Sequence, residues 1–181
     1  LRCLVGSEMC IRDRIHSAAG YRTAARLVQE GTIGKVKAIH AWVASTGHGH
    51  SGLIDRPTKN EPVPAELDWD LWIGPAPMRP YGHARAYHPF TWRDWQDFGG
   101  GAIGDFICHV LDPVFMATKL TGHPISVKAK HTGMNDEVWP AAQRVDFVLP
   151  GSEWTVGETV PLTWYSGNHR EKYSLARYVE N

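Results

Sequence analysis

Trp92-Arg93-Asp94-Trp95-Gln96-Asp97-Phe98-Gly99-Gly100-Gly101-Ala102-Ile103-Gly104-Asp105-Phe106-Ile107-Cys108-His109 is the stretch from which the rest of the chain is best read. Three successive glycines let backbone or ligand approach closely. Beyond them the residues read as a helix running to about Leu120, with Pro113 inside it removing one backbone hydrogen bond and inviting a kink. On that helix Asp105 and His109 stand at i and i+4, so they share a face. A carboxylate beside an imidazole stabilises the protonated ring and fixes its tautomer. A general base taking a proton from an alcohol needs both effects. The plainer alternative is an ordinary helix pair, Asp105 in the first turn and His109 packed in the core. On spacing alone that alternative is the better supported of the two.

Gly99-x-Gly101-x-x-Gly104 also fits the dinucleotide pattern G-x-G-x-x-G. That pattern requires an apolar strand before it and an acidic residue about 20 positions later. Here Trp95-Gln96-Asp97-Phe98 precedes it and position 124 is Pro. A glycine turn into a helix is the better account.

Upstream, residues 18–31 carry helical periodicity. Tyr21, Ala24, Ala25 and Val28 make an apolar face, with Ser17 as N-cap and Gly31 as the stop. A strand follows from Val36 to Ala44, with both faces covered over much of its length. From Ser45 to Pro89 the chain is rich in Gly and Pro and holds one short helix at Asp68–Ile73. So long a stretch in a compact domain is usually functional. Downstream, Ile125/Val127/Ala129/His131 alternate with Ser126/Lys128/Lys130 in a half-buried antiparallel pattern. Further strands fall at residues 144–149 and 160–165. The order implies an α+β fold, a helix packed on a mostly antiparallel open sheet.

The chain has 181 residues, 43% hydrophobic and 21% charged, with formal net charge zero. Nothing in this charge favours nucleic acid or an anionic membrane as partner, and no apolar run approaches the roughly 20 residues of a bilayer span. The eight Trp residues suit a sugar or cofactor cleft, and core packing equally well. The first fourteen residues, LRCLVGSEMCIRDR, have no structural period. Met9 to Asp13 is what ATG TGT ATA AGA GAC encodes, a string that looks like a sequencing-library transposon end. Residues 1–14 are therefore read as an artefact and set aside. Setting them aside leaves 16 basic against 17 acidic residues, and Cys108 as the single cysteine. One cysteine gives neither a disulfide nor a thiolate metal site. Cys108 reads as a small packed residue rather than a nucleophile. His48 and His50, in Gly47-His48-Gly49-His50, form a weak chelating pattern that a solvated loop explains better, so no metal is expected.

GGGAIGDFICH at 99–109 resembles the G-G-G-x-x-x-D-x-x-x-H segment of the Gfo/Idh/MocA oxidoreductases. Three other places agree: Tyr21 through Trp42, ending in GTIGKVKAIHAWV; LDWDLWIGPAP at 67–77; and HPFTWR at 88–93. The resemblance covers roughly residues 15–167. It implies a two-domain parent, with residues 15–34 the end of a dinucleotide-binding domain and 35–181 a C-terminal substrate and oligomerisation domain, cut short at its end. It implies NAD or NADP as cofactor, a sugar or polyol CH–OH group as substrate, and homo-oligomers formed through the sheet face. Asp105 and His109 fall on the family's catalytic acid and proton-transferring histidine. Trp92 and Arg93 match a pair that contacts the nicotinamide cofactor in some relatives; an aromatic packed beside a surface arginine explains them as well. The family's E-K-P lysine and phosphate-binding glycines are not in this chain, so the chain itself is expected to be inactive. A redox-neutral relative that cleaves or epimerises glycosides, and a non-catalytic carbohydrate-binding module, stay open. Asn60, Arg79, Tyr81 and His88 are further candidates for sugar-hydroxyl contacts. The sequence does not specify a compartment.

Overall fold

The computed structural model describes residues 16, 18–43, 53 and 55–167. They divide into two compact units: those up to residue 42 with 104–129 and 145–164 in the first, and those from 43 to 103 with 130–144 and 165–167 in the second.

In the first unit, helix α1 (Ala19–Gln29) ends as its sequence dictates. Gly31 takes a positive φ of 81°. The Gly31 N–H then bonds to the Val28 carbonyl and the Thr32 N–H to that of Leu27, each at 3.0 Å. That pair of bonds closes the helix by the Schellman arrangement. The start differs from expectation: Ala18 is the N-cap and offers no side-chain bond. The expected apolar face is also mostly uncovered. Ala25 alone is buried, and Tyr21 is 39% exposed. Gln29 reaches instead to the carbonyls of Met116 and Ala117, at 2.9 and 3.2 Å. These are end-of-helix acceptors that would otherwise lack partners.

Strand β1 (Ile39–Val43) is shorter than the reading of residues 36–44. Val36 makes only an isolated parallel bridge to Thr155. The order in the four-stranded mixed sheet is β1-β4-β3-β2, with β2 at Ser126–Thr132, β3 at Ala142–Pro150 and β4 at Thr159–Ser166. Interior position and burial go together: Val160, Leu162 and Trp164 of β4 are almost wholly buried. By contrast every residue of β2 is exposed, which corrects the half-buried reading. Among the described residues it is an edge strand with one paired neighbour, and Lys128 and Lys130 discourage a second.

The second unit is built around aromatic rings. Ala86, Tyr87, Trp95 and Val138 form its buried cluster, with Leu53, Trp69, Trp72 and Phe98 against it. Helix α2 (Trp69–Ile73) supplies two of these rings, which stack at 4.8 Å and 9°. Asp68 caps it by accepting from the Leu71 N–H at 3.1 Å, and Gly74 ends it with φ 59°. The Trp95 indole donates to the Ala86 carbonyl at 2.8 Å, so this fully buried ring leaves no polar group unpaired.

Helix α3 (Gly101–Thr118) starts in this unit and runs without a break past Pro113. Its start depends on two glycines. A Cβ on Gly99 would come within 2.7 Å of the Arg93 Cα. Gly101 has φ 63°, and a Cβ there would meet the Trp139 side chain at 2.8 Å. Gly104, by contrast, faces open space within the helix. Two replacements should therefore have opposite signs in denaturant unfolding. Gly101→Ala should destabilise by about 1–3 kcal/mol through strain at positive φ. Gly104→Ala should stabilise by up to about 1 kcal/mol through helix propensity. Equal effects would mean that the helix start is not fixed at Gly101.

Candidate active site

Asp105 and His109 lie on α3, one turn apart in a continuous helix, and each is partly exposed. The His109 ring lies edge-on to Phe106, with centroids 6.3 Å apart at 68°. The Asp105 carbonyl accepts from Cys108 Sγ at 3.6 Å, and the residue makes further contacts. No described bond joins the two side chains. The imidazole is thus on the same helix as its expected partner and not sealed in apolar packing, but the expected pair is not closed. Pro113 adds a local consequence: lacking an N–H, it cannot bond the carbonyl of His109, its i−4 residue.

The first unit contains an apolar cavity of about 450 Å³ along α3, lined by residues including Ile107, Leu111, Phe115, Phe147 and Leu162. Neither Asp105 nor His109 lines it, so it is not the site of their chemistry.

In the second unit, Trp92 and Arg93 sit in a 3₁₀ turn, Thr91–Asp94. The Arg93 guanidinium lies 4.4 Å from the Trp92 ring centroid and 4.3 Å from that of Phe90. Its NH1 donates to the Phe90 carbonyl at 3.0 Å. Both Trp92 and Arg93 remain partly exposed.

The second unit's aromatic core buries one end of a charge cluster that sequence spacing did not reveal. The Arg79 side chain is 1% exposed. It pairs with Asp97, and with Glu137 at 3.6 Å, and Glu137 also holds Arg56 at 2.7 Å. The rings of Phe98 and Tyr87 lie 5.0 and 5.6 Å from the guanidinium carbon. Arg79 is therefore structural rather than a sugar contact. The other loop candidates are similarly engaged: Asn60 accepts from the Gly82 N–H at 3.2 Å, Tyr81 is buried edge-on to Trp69, and His88 lies edge-on to Trp72. The one available signal was composition, since an arginine between prolines amid tryptophans is poorly placed to stay in water. His48 and His50 lie outside the described residues. Among the described residues no group of three or more His, Cys, Asp or Glu could hold a metal, and no helix is long and apolar enough to cross a membrane.

The profile of an oxidoreductase family, its C-terminal alpha/beta domain, matches residues 23–150. The chain belongs to the Gfo/Idh/MocA oxidoreductase family. No curated protein matches it. The matched span runs from within α1 to the end of β3, and holds Asp105, His109, Trp92 and Arg93. The family's α/β domain thus accounts for the open sheet and for the long helix that carries the acid and the histidine. An oxidoreductase role follows for the protein in general terms.

Burial raises the pKa of the Tyr87 phenol above its usual value, against the opposing influence of the Arg79 cation nearby. The neutral phenol is thus favoured in the folded state. Its contribution is complete below the unfolded value of about 10 and is lost as pH climbs toward the higher folded value. Urea midpoints for the native protein and Tyr87→Phe should keep a constant difference up to about pH 10, with the native protein losing ground above it. A difference flat through that range would show that Tyr87 titrates in the folded protein as it does in the unfolded chain.

Proposed function

We propose that the protein is an NAD(P)-dependent dehydrogenase acting on a sugar or polyol CH–OH group, with this chain supplying the proton-transfer residues. The observation that carries the reading is Asp105 and His109 at i and i+4 on one unbroken helix, inside the span matched to an oxidoreductase family. His109 takes the hydroxyl proton from the substrate. Asp105 orients the imidazole and offsets the charge it gains, once substrate draws the pair together. Catalytic hydrogen bonds are often open before substrate binds, so the separate contacts seen here are compatible with that role.

The cofactor's site is tested by Trp92 and Arg93. A partly exposed guanidinium held over two aromatic rings suits a planar, phosphate-bearing ligand. When bound there, a nicotinamide supplies the hydride acceptor that the side chains lack. Trp92 and Arg93 would hold and orient it, while a separate dinucleotide-binding domain in the parent protein would take the pyrophosphate.

In the complete protein, with such a domain attached, polyol oxidation should yield one NAD(P)H per ketone. His109→Ala should lower kcat/KM by about 10²–10⁴, the usual worth of general-base catalysis. Asp105→Asn should cost less, on the order of 10-fold, through positioning alone. Unchanged turnover in His109→Ala would remove the proposed chemistry, and product without net NAD(P)H would place the reaction in a redox-neutral class.

A further inference from the structure

Residues 94–101 are tied along residues 135–139 by a set of bonds whose charged centre is Arg79. Trp95 forms an antiparallel bridge with Val138. The Gln96 N–H bonds to the Glu137 carbonyl at 2.9 Å, and the Trp139 N–H to that of Asp94 at 2.8 Å. The Trp139 indole donates to the Gly99 carbonyl at 2.6 Å. Arg79 holds the side chains of both segments at once, Asp97 from one and Glu137 from the other. Its own backbone is fixed, because the Arg79 carbonyl accepts from the Trp69 indole at 2.8 Å. The segment held this way carries Trp92 and Arg93 at its entry and delivers the chain to Gly101, where the helix of Asp105 and His109 begins.

We propose that Arg79 is a positioning residue: its buried guanidinium sets the segment from the Trp92–Arg93 turn to the start of α3. This rests on the dehydrogenase reading only for its consequence in turnover. The guanidinium matters by shape as well as charge. Two of its nitrogens face two different carboxylates, a fork that one ammonium group cannot reproduce. The guanidinium itself is shut away from water, while the two carboxylates keep one side toward solvent. The Nε and Nη1 of Arg79 are both buried without a hydrogen-bond partner, so Glu137 is held by charge alone, at 3.6 Å, while Asp97 takes the hydrogen bond.

The test is Arg79→Lys, read by hydrogen exchange at two indole N–H groups in this chain. Trp139 reports on the tied segment, through its bond to Gly99. Trp95 reports on the core of the same unit, through its bond to Ala86. Trp139 exchange should rise at least tenfold while Trp95 exchange stays within twofold of native. Equal acceleration at both would mean that Arg79 serves general stability only, and no change at either would mean that it fixes nothing; both results overturn the proposal. Should Arg79→Lys not fold, Asp97→Asn removes one arm of the fork and carries the same expectations. In the complete enzyme, the same variant should lower kcat at least tenfold with substrate KM within about twofold. Native kcat alongside a loosened Trp139 would overturn the consequence for turnover. A native enzyme without any dehydrogenase activity would defeat the functional reading instead, and the exchange result would still decide the positioning claim.

Discussion

A guanidinium does not lose its proton inside a protein, so burying Arg79 obliges the chain to bring acceptors to it. The second unit meets that demand from two directions. Asp97 comes from the stretch leading into α3 and Glu137 from the turn before β3, and each arrives with backbone bonds already made between their neighbours. Breaking either arm would strand a charge among Phe98, Tyr87 and the tryptophans. Local order in residues 94–101 therefore has a cause beyond the turn propensities of its glycines. Gly99 and Gly101 permit the close approach; the charge cluster makes it favourable.

The two units hold different candidate groups. One carries most of α3 with Asp105 and His109, and the greater part of the sheet. The other carries Trp92 and Arg93 in an aromatic, ion-paired core. Rigid side chains with few torsions dominate that core, which suits a loop-rich region that must hold shape without long helices or strands. Its irregular backbone is stabilised by indole donors: Trp69, Trp95 and Trp139 each bond to a main-chain carbonyl. The high tryptophan content has its explanation there, in part, rather than in a sugar cleft.

Local signals were legible in the sequence and long-range ones were not. Gly31 marked the end of α1 and the triple glycine the start of α3, because backbone conformation at those points excludes most side chains. The shared helix of Asp105 and His109 followed from their spacing. Whether the side chains meet did not, since that depends on rotamers that spacing leaves free; the His109 ring has gone to Phe106. Burial was misread wherever it depends on neighbours far along the chain. The α1 face reads as apolar and is mostly open, and β2 alternates correctly yet lies at the sheet edge with both faces exposed. Arg79 looked like a polar loop residue, and nothing at its own position points to carboxylates at 97 and 137.

A double-mutant cycle between Arg79→Met and Asp97→Ala tests the charge cluster most directly. Unfolding free energies of the native protein, the two single variants and the double variant give the coupling of this one pair. A charge-assisted bond to a buried guanidinium should couple by more than about 1 kcal/mol. Coupling at or below about 1 kcal/mol, the range of surface ion pairs, would contradict the account.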